Sequence, residues 1–300
     1  MKRLFALLAA IGMVAVAVVI RSNLDDDDSG GGSSSGPTTI ACVTELEAQC
    51  RALANVTVRV EDAATTAEAI AAGDAELGGW VTLDPWPEIV DLLAKRDAVG
   101  DSTRIARSQL VIATVQERQD KFPCAPNWRC IGDAIGQPWD SFGGDAQWGD
   151  IKVGLPRLTS GAGLLMFGNA VSGFAGKADI ATNDFELDPE FPVWRGKVTG
   201  SVANAPFTTF VQQFPAAFSF VGVIGAELSS SSRAGVGTII PTPTASAVVV
   251  IAPVNGRKVS GLTSDLQREL LSSGWSTDGL DEPTGLPNAG VLLALSELTG

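Results

Sequence analysis

The sequence contains no histidine and no tyrosine. Without histidine, a chain cannot build a Ser-His-Asp or Cys-His catalytic set, a HExxH zinc helix or a histidine-ligated metal site. General acid–base chemistry would depend on carboxylates or lysine, whose pKa values must be strongly shifted to act near neutrality. These absences exclude most of the familiar hydrolase and metalloenzyme classes.

Positive charge is also scarce, because 21 Lys and Arg stand against 34 Asp and Glu, which leaves a formal net charge of −13. Nucleic-acid binders derive much of their affinity from Lys and Arg on phosphates, so this balance disfavours a nucleic-acid partner. Charged residues make up only 18% of the chain and hydrophobic residues 45%, which is typical of a folded chain. A length of 300 residues allows about two domains.

Residues 1–37 are interpreted as an export segment followed by a tether. Lys2 and Arg3 precede an uncharged, mostly apolar run over residues 4–20, which as a helix is about 25 Å long. The end of the run offers a poor cleavage site, so an uncleaved signal anchor is favoured over a cleaved signal peptide. The acidic and Gly/Ser-rich residues 25–37 cannot bury apolar surface and predict a flexible spacer. We expect the remainder on the extracellular face of the membrane, either anchored or secreted.

The four cysteines lie in the sequence as two close pairs, Cys42 near Cys50 and Cys124 near Cys130. In an exported chain this arrangement favours two local disulfides, although four cysteines allow three connectivities. A four-cysteine metal site is the less favoured alternative, because the spacings do not fit zinc knuckles. If Cys42 and Cys50 pair, they cannot share one straight helix, where they would lie roughly 12 Å apart. One of them must precede the helix.

Strand and helix patterns alternate along the exported chain. The predicted strands cover residues 38–42, 56–60, 79–83, 110–115, 151–155, 217–224 and 246–253. Predicted helices cover residues 67–72, 161–174, 262–272 and 291–298, and a further helix begins at Asp84-Pro85-Trp86. The first of these helices would open with a capping box, Thr65-Thr66-Ala67-Glu68. The alternation predicts an α/β fold with mainly parallel sheets covered on both faces.

Several segments, taken in order, resemble one family of proteins. Residues 106–113 are similar to the crossover strand of type II extracellular solute-binding proteins, and residues 152–164 resemble the strand, loop and helix of their second lobe. Residues 218–223 and 241–254 resemble the last second-lobe strand and the return to the first lobe. Residues 270–275 and 286–292 resemble actinobacterial members of this family, some of which are associated with von Willebrand A-type domains.

The resemblance implies a two-lobed periplasmic-binding-protein type II fold with two crossover strands. Lobe 1 would combine residues 38–107 and 238–300, and lobe 2 would span residues 108–237. A small polar ligand would be captured in the cleft by hinge closure, for an ABC-type importer and its permease. The alternative is a membrane-anchored sensor or scaffold of the same fold that engages another protein, such as a von Willebrand A-type protein. We expect no cofactor and no metal.

Catalysis is not expected. The segment Leu158-Thr159-Ser160-Gly161 is not a nucleophile elbow, because Leu158 occupies the position that requires the first glycine. Activation of Ser160 would have to come from lysine, and neither Lys152 nor Lys177 has Ser-x-x-Lys spacing. A pair of carboxylates set by folding stays open as a glycosidase alternative.

Four strand-to-helix junctions carry residues suited to a polar ligand, since helix N-termini expose N–H donors and a partial positive charge. They contribute Thr44, Thr65, Thr66, Asp84, Trp86, Thr159, Ser160 and Gly161. Helix capping is the alternative for each Thr and Ser, and packing is the alternative for Trp86. The resemblance adds Arg107 and Ser108 at the crossover, where Arg107 would face the cleft or form a hinge salt bridge. Asn183 is a further candidate from lobe 2, or part of a turn.

Overall fold

The computed structural model describes residues 38–74, 76–122, 127–231, 233–257 and 261–298. The predicted export segment and tether, residues 1–37, lie outside the described residues, and so does Cys124. Within the described ranges, no helix is both long and apolar enough to cross a bilayer.

The strands of the described chain form one curled sheet. They are β1 (Thr38–Val43), β2 (Val56–Glu61), β3 (Gly79–Leu83), β4 (Thr103–Val115), β5 (Val153–Gly154), β6 (Phe220–Ile224), β7 (Val236–Ile239) and β8 (Ser246–Pro253). Their order is β2-β1-β3-β8-β4-β6-β5, and β7 also pairs with β4. The strands β3 and β8 have the predicted bounds, whereas β4 starts earlier than predicted and β7 was not predicted.

Helices flank this sheet. They are α1 (Glu47–Arg51), α2 (Ala63–Ala71), α3 (Trp86–Ala94), α4 (Gln116–Gln119), α5 (Trp128–Ala134), α6 (Gly161–Ala175), α7 (Asn183–Glu186), α8 (Phe191–Thr199), α9 (Pro206–Gln212), α10 (Gly225–Ser229), α11 (Leu262–Ser272) and α12 (Ala289–Glu297). Short 3₁₀ turns cover Thr44–Leu46, Trp139–Phe142 and Ala146–Trp148.

The long strand β4 joins two sections of the sheet. Its residues 103–109 pair with β8, and its residues 110–115 pair with β6 and β7. We call β1, β2, β3, β8 and residues 103–109 the first section, and residues 110–115 with β5, β6 and β7 the second section. Each section includes the turns and helices that follow its strands along the chain. The expectation of an α/β fold is confirmed.

Parallel pairing is less extensive than expected. It joins β1 to β2, β1 to β3 and β5 to β6. The pairs β3–β8, β4–β8, β4–β6 and β4–β7 are antiparallel. The reason is that the chain leaves the first section along β4 and returns to it along β8, so these two neighbours run in opposite directions.

Helix α6 is the most deeply buried helix of the described chain. Fourteen of its residues, Gly161 to Phe174, are buried. A helix that is apolar on all sides belongs in a protein interior, and the uncharged sequence of α6 fits that environment. Small residues allow close packing, since a Cβ at Gly168 would lie 2.4 Å from Leu292 Cδ2.

Cys42 on β1 and Cys50 on α1 form a disulfide. This pairing confirms both the local connectivity and the prediction that one cysteine precedes the helix. Cys130 is also disulfide-bonded, and Cys124, its predicted partner, is not among the described residues.

The predicted capping box at Thr65 is wrong as a helix start. Helix α2 begins at Ala63, after Asp62, whose backbone is extended at φ −62° and ψ 146°. Thr65 and Thr66 therefore lie inside the first turns of the helix. The Thr66 hydroxyl donates to Glu61 Oε2 at 3.1 Å rather than capping a helix end.

Candidate functional site

A cleft of about 570 Å³ opens where strands of both sections end. Ligand pockets in proteins typically measure about 300–1,000 Å³. The lining residues come from the segments after β1 and β5, from β6, and from the starts of α6, α9 and α10. They are Thr44, Glu45, Pro156, Arg157, Ser160, Ala162, Asn204, Ala205, Pro206, Phe207, Gly222 and Glu227. In α/β sheets the carboxyl ends of strands are where ligands bind.

Two side chains satisfy the first turn of α6. Ser160 is the N-cap, and its hydroxyl accepts a hydrogen bond from the Gly163 N–H at 3.1 Å. Glu45 Oε1 accepts from the Ala162 N–H at 2.6 Å. A carboxylate is favoured at this position, because the helix dipole places partial positive charge there. The N-terminus of α6 is therefore held by a residue that directly follows β1.

The first turn of α6 requires glycine. A Cβ at Gly163 would lie 1.8 Å from the Arg157 carbonyl oxygen, an impossible contact. At Gly161 a Cβ would lie 3.1 Å from Glu45 Oε2 and 3.3 Å from Leu83 Cδ1, which is tight. Because these two glycines have no Cβ, the backbone of α6 can approach the Arg157 carbonyl at Gly163 and the Glu45 side chain at Gly161.

Asp62, at the end of the β2 segment, binds the turn before α6 from the other side. Its carboxylate forms an ion pair with Arg157 Nη2 at 2.7 Å and accepts from Thr159 Oγ1 at 3.0 Å. The Ala64 N–H donates to the Thr159 carbonyl at 2.9 Å. Trp86 Nε1 donates to the Gly161 carbonyl at 3.3 Å. Residues of the first section thus hold the turn that leads from β5 into α6.

Glu227 lies on α10, and Ser108 helps to position this helix. The Ser108 hydroxyl accepts from the Ala226 N–H at 2.8 Å. The Glu227 side chain lines the cleft. It is exposed to solvent there, although protein atoms surround most of its carboxyl group. Burial, and secondly the negative charge of Glu45, raise the pKa of Glu227 to about 7.

The structure brings only part of the predicted set to the cleft. Thr44 and Ser160 line it, and Thr159, Gly161 and Trp86 belong to the contacts around the turn before α6. Ligand contact by these residues stays a prediction. Ser160 does perform the capping role that was its alternative.

Other predicted residues have different surroundings. Asp84 forms an ion pair with Arg104 at 2.7 Å. Arg107 was expected to face the cleft, but it is not among the residues that line it. It pairs with Glu282 at 3.1 Å and donates to the carbonyls of Gly279 and Pro283, because β4 runs beside the segment that follows α11. This arrangement is the salt-bridge alternative.

Three further predicted residues are not among those that line the cleft. Thr65 is exposed on α2, and Thr66 is fully buried beside Glu61. Asn183 is exposed at the start of α7. Thr65 and Thr66 were predicted from a helix start that the structure places earlier, at Ala63, and Asn183 from its polar character alone.

Sequence reasoning missed Glu45, Arg157, Asn204 and Glu227. A signal for two of them was present, since Glu45 directly follows Thr44 and Glu227 lies three residues after a predicted strand end at Ile224. Among the described residues, no group of three or more Asp, Glu, Cys or His side chains is arranged to hold a metal ion.

No known family profile and no curated protein matches the sequence. Solved structures do match the fold. The ferric binding protein from Campylobacter jejuni aligns over 78% of this chain and 81% of its own, with 10% identity and a TM-score of 0.51. The sulfate-binding protein SubI from Mycobacterium tuberculosis aligns over 88% and 92%, with 13% identity and a TM-score of 0.48.

A regulatory protein is similar as well. The reduced regulatory domain of OxyR2 from Vibrio vulnificus aligns over 82% of this chain and 100% of its own, with 10% identity and a TM-score of 0.46. At such identities the likeness concerns the fold alone. The class that the fold defines is the type II periplasmic-binding-protein fold, as the sequence predicted.

Proposed function

We propose that this chain is an extracellular solute-binding protein that captures a small polar ligand in the cleft and delivers it to an ABC-type importer. The observation that carries the proposal is the cleft itself, which has the volume of a ligand pocket and is lined by polar groups from both sections. Thr44 and Glu45 come from the first section, and Gly222 and Glu227 from the second.

Capture would proceed by hinge closure. The sections are joined by β4 and by the chain that returns from β7 to β8, which are the places where a hinge can act. A ligand that contacts both sections binds the closed state better than the open state and shifts the population toward closure. The predicted lobes, residues 38–107 with 238–300 and residues 108–237, are part of this proposal.

The proposed location is the outer face of the membrane, with the N-terminal segment as anchor. The disulfide between Cys42 and Cys50 supports an oxidising compartment, because such bonds persist mainly outside the cytosol.

The test is native mass spectrometry of the gently purified full-length protein, to detect a small molecule retained in the cleft. Asn204→Trp places a large ring at an exposed position of the cleft wall and should abolish the adduct. Asn183→Trp is the matched control, since Asn183 is also exposed but does not line the cleft. If both variants retain the small molecule, or if neither does, the cleft is not the binding site.

One observation favours a second candidate, a sensor or scaffold. Asp62 binds both Arg157 and Thr159, so the chain joins its two sections by its own polar contacts. A protein that stays closed without ligand could present a constant surface to another protein. Small-angle scattering of ligand-free protein tests this, because a solute-binding protein should contract when ligand is added and a scaffold should not.

A further inference from the structure

The position that would suit an anion at the start of α6 is filled by the chain itself. Free N–H groups at a helix N-terminus attract anions. Here the Ala162 N–H donates to Glu45 at 2.6 Å and the Gly163 N–H donates to Ser160 at 3.1 Å. An anionic ligand would have to displace the Glu45 carboxylate and then lie beside it.

The charge that faces the cleft is negative. Its charged lining residues are Glu45, Arg157 and Glu227. Arg157 is neutralised by Asp62, which lies 2.7 Å away and keeps only 12% of its side-chain surface exposed. The two glutamates have no such neutralising contact with a Lys or Arg among the ion pairs of the described residues.

Among the described residues that line the cleft, none supplies Glu227 with an unpaired positive charge. The turn after β1 contributes Glu45, and the turn before α6 contributes Arg157, already paired. Strand β4 contributes the neutral Ser108, and the lining residues at the start of α9 and on β6 are uncharged. The raised pKa of Glu227 is consistent with this surplus of negative charge.

The remaining wall suits an organic molecule rather than a bare ion. Pro156, Pro206 and Phe207 give the cleft an apolar side, and the hydroxyl of Thr44 and the amide of Asn204 add neutral polar groups. Two carboxylates supply at most four of the six to eight oxygen ligands that calcium takes, and among the described residues no group of three or more Asp, Glu, Cys or His side chains is arranged to hold a metal ion. A cleft that combines apolar residues with negative charge matches a molecule with a carbon skeleton and a positive group.

We infer that the cleft binds an organic ammonium compound whose positive group lies against Glu45 and Glu227. The inference rests on the proposed solute-binding function and deepens it by naming the ligand class. Glu227 accepts the ammonium group best when ionised, so binding should expel a proton from its carboxyl group. Glu45 keeps its contact with α6 and adds negative charge without leaving the helix.

The experiment is calorimetric titration of the full-length protein with 1,4-diaminobutane, ethanolamine and tetramethylammonium chloride, beside sodium sulfate and calcium chloride. At least one ammonium probe should bind, and its affinity should rise about tenfold from pH 6 to pH 8, since the ionised fraction of a group with a pKa of about 7 rises by that factor. The heat should depend on the buffer, because a proton is released.

Variants separate this role from a structural one. Glu227→Gln should lose at least about tenfold in affinity at pH 8, as well as the pH dependence and the proton release. Glu186→Gln, which removes the same charge from an exposed position on α7, should change none of these.

The outcomes distinguish this inference from the proposed function. Binding of sulfate or calcium but of no ammonium probe would overturn the inference and leave solute binding intact. The same holds if native mass spectrometry finds a retained ligand that is neutral or anionic while no ammonium probe binds. Neither a bound probe nor a retained ligand would overturn both proposals.

Discussion

The two sections of the sheet are built from different material. In the first, strands of five to eight residues stack aliphatic side chains such as Ile40, Val81 and Val249, and a disulfide ties β1 to α1. In the second, β5 has two residues and β7 has four, and the described residues 116–122 and 127–150 form mainly short helices and turns.

The second section replaces long strands with aromatic packing. Phe122 lies 4.9 Å from Phe220 and 6.0 Å from Trp139 between ring centroids, and Trp139 lies 5.5 Å from Trp148. The buried Arg118 lies over Trp139 and Trp148, at 5.9 and 5.4 Å from the ring centroids. Where few backbone hydrogen bonds order a segment, large rings supply the buried area that holds it.

The largest expected effect is at Trp139, because this residue is the centre of the aromatic packing. Trp139→Ala should lower the free energy of unfolding by about 3–5 kcal/mol, since it removes a fully buried ring. Trp139→Phe should lower the free energy of unfolding clearly less, because it keeps an aromatic ring. What it gives up is part of the buried area and the hydrogen bond from Nε1 to Ser219 Oγ at 3.1 Å. Chemical denaturation is the measurement, with Val193→Ala at a 68% exposed position as control. Equal losses for the Ala and Phe variants would contradict the role of the ring.

The disulfide of the first section ranks next. Cys42→Ala with Cys50→Ala should cost about 2–3 kcal/mol, because the bond closes a loop of sequence separation 8 and so restricts the unfolded chain. In thermal melts the reduced parent should unfold at a lower temperature than the double variant, because reduction also opens the disulfide of Cys130. Thiol labelling before and after reduction should differ by four labels if the second predicted pair also forms. Four labels on the unreduced, folded protein would rule out both bonds.

The cap of α6 has a smaller effect and lies where the two sections meet. Ser160→Ala should cost about 1 kcal/mol, because the Gly163 N–H loses its acceptor in a buried place. Ser160→Asn, which keeps an acceptor, should restore most of the loss. Thermal melts check this, and Ser102→Ala at an exposed position serves as control. If Ser160→Ala leaves the melting temperature unchanged, Glu45 alone satisfies the start of α6.

The smallest expected effect is the pH dependence that Glu227 adds, because its side chain is exposed and solvent screening reduces what the pKa shift contributes to the free energy of unfolding. Its pKa is raised from 4.5 to about 7 in the folded state, so between these values the folded state binds more protons than the unfolded state. Stability from this group is therefore full below about pH 4.5 and is lost as the pH rises through about 7. Melts from pH 4.5 to 8 should show a steeper decline for the parent than for Glu227→Gln. Parallel profiles would contradict the raised pKa.

Some strands and helices were predictable because their patterns are local. The bounds of β3, β8 and α11 agree with the prediction, since apolar runs and helical spacing need no knowledge of distant residues. The start of α2 was predicted wrongly because Thr65 and Glu68 imitate a capping box, whereas Glu61 and the extended backbone of Asp62 determine the actual start.

The sequence by itself determined the fold class, the local pairing of Cys42 with Cys50 and the capping role of Ser160, because each depends on nearby residues or on order along the chain. Only the tertiary structure decided which charges meet. The carboxylate of Glu45 reaches an N–H that lies 117 positions away, and Asp62 reaches Arg157 over 95 positions. Separations of this size carry no local periodicity, so the negative character of the cleft emerges only when the sheet brings the ends of β1, β5 and β6 together.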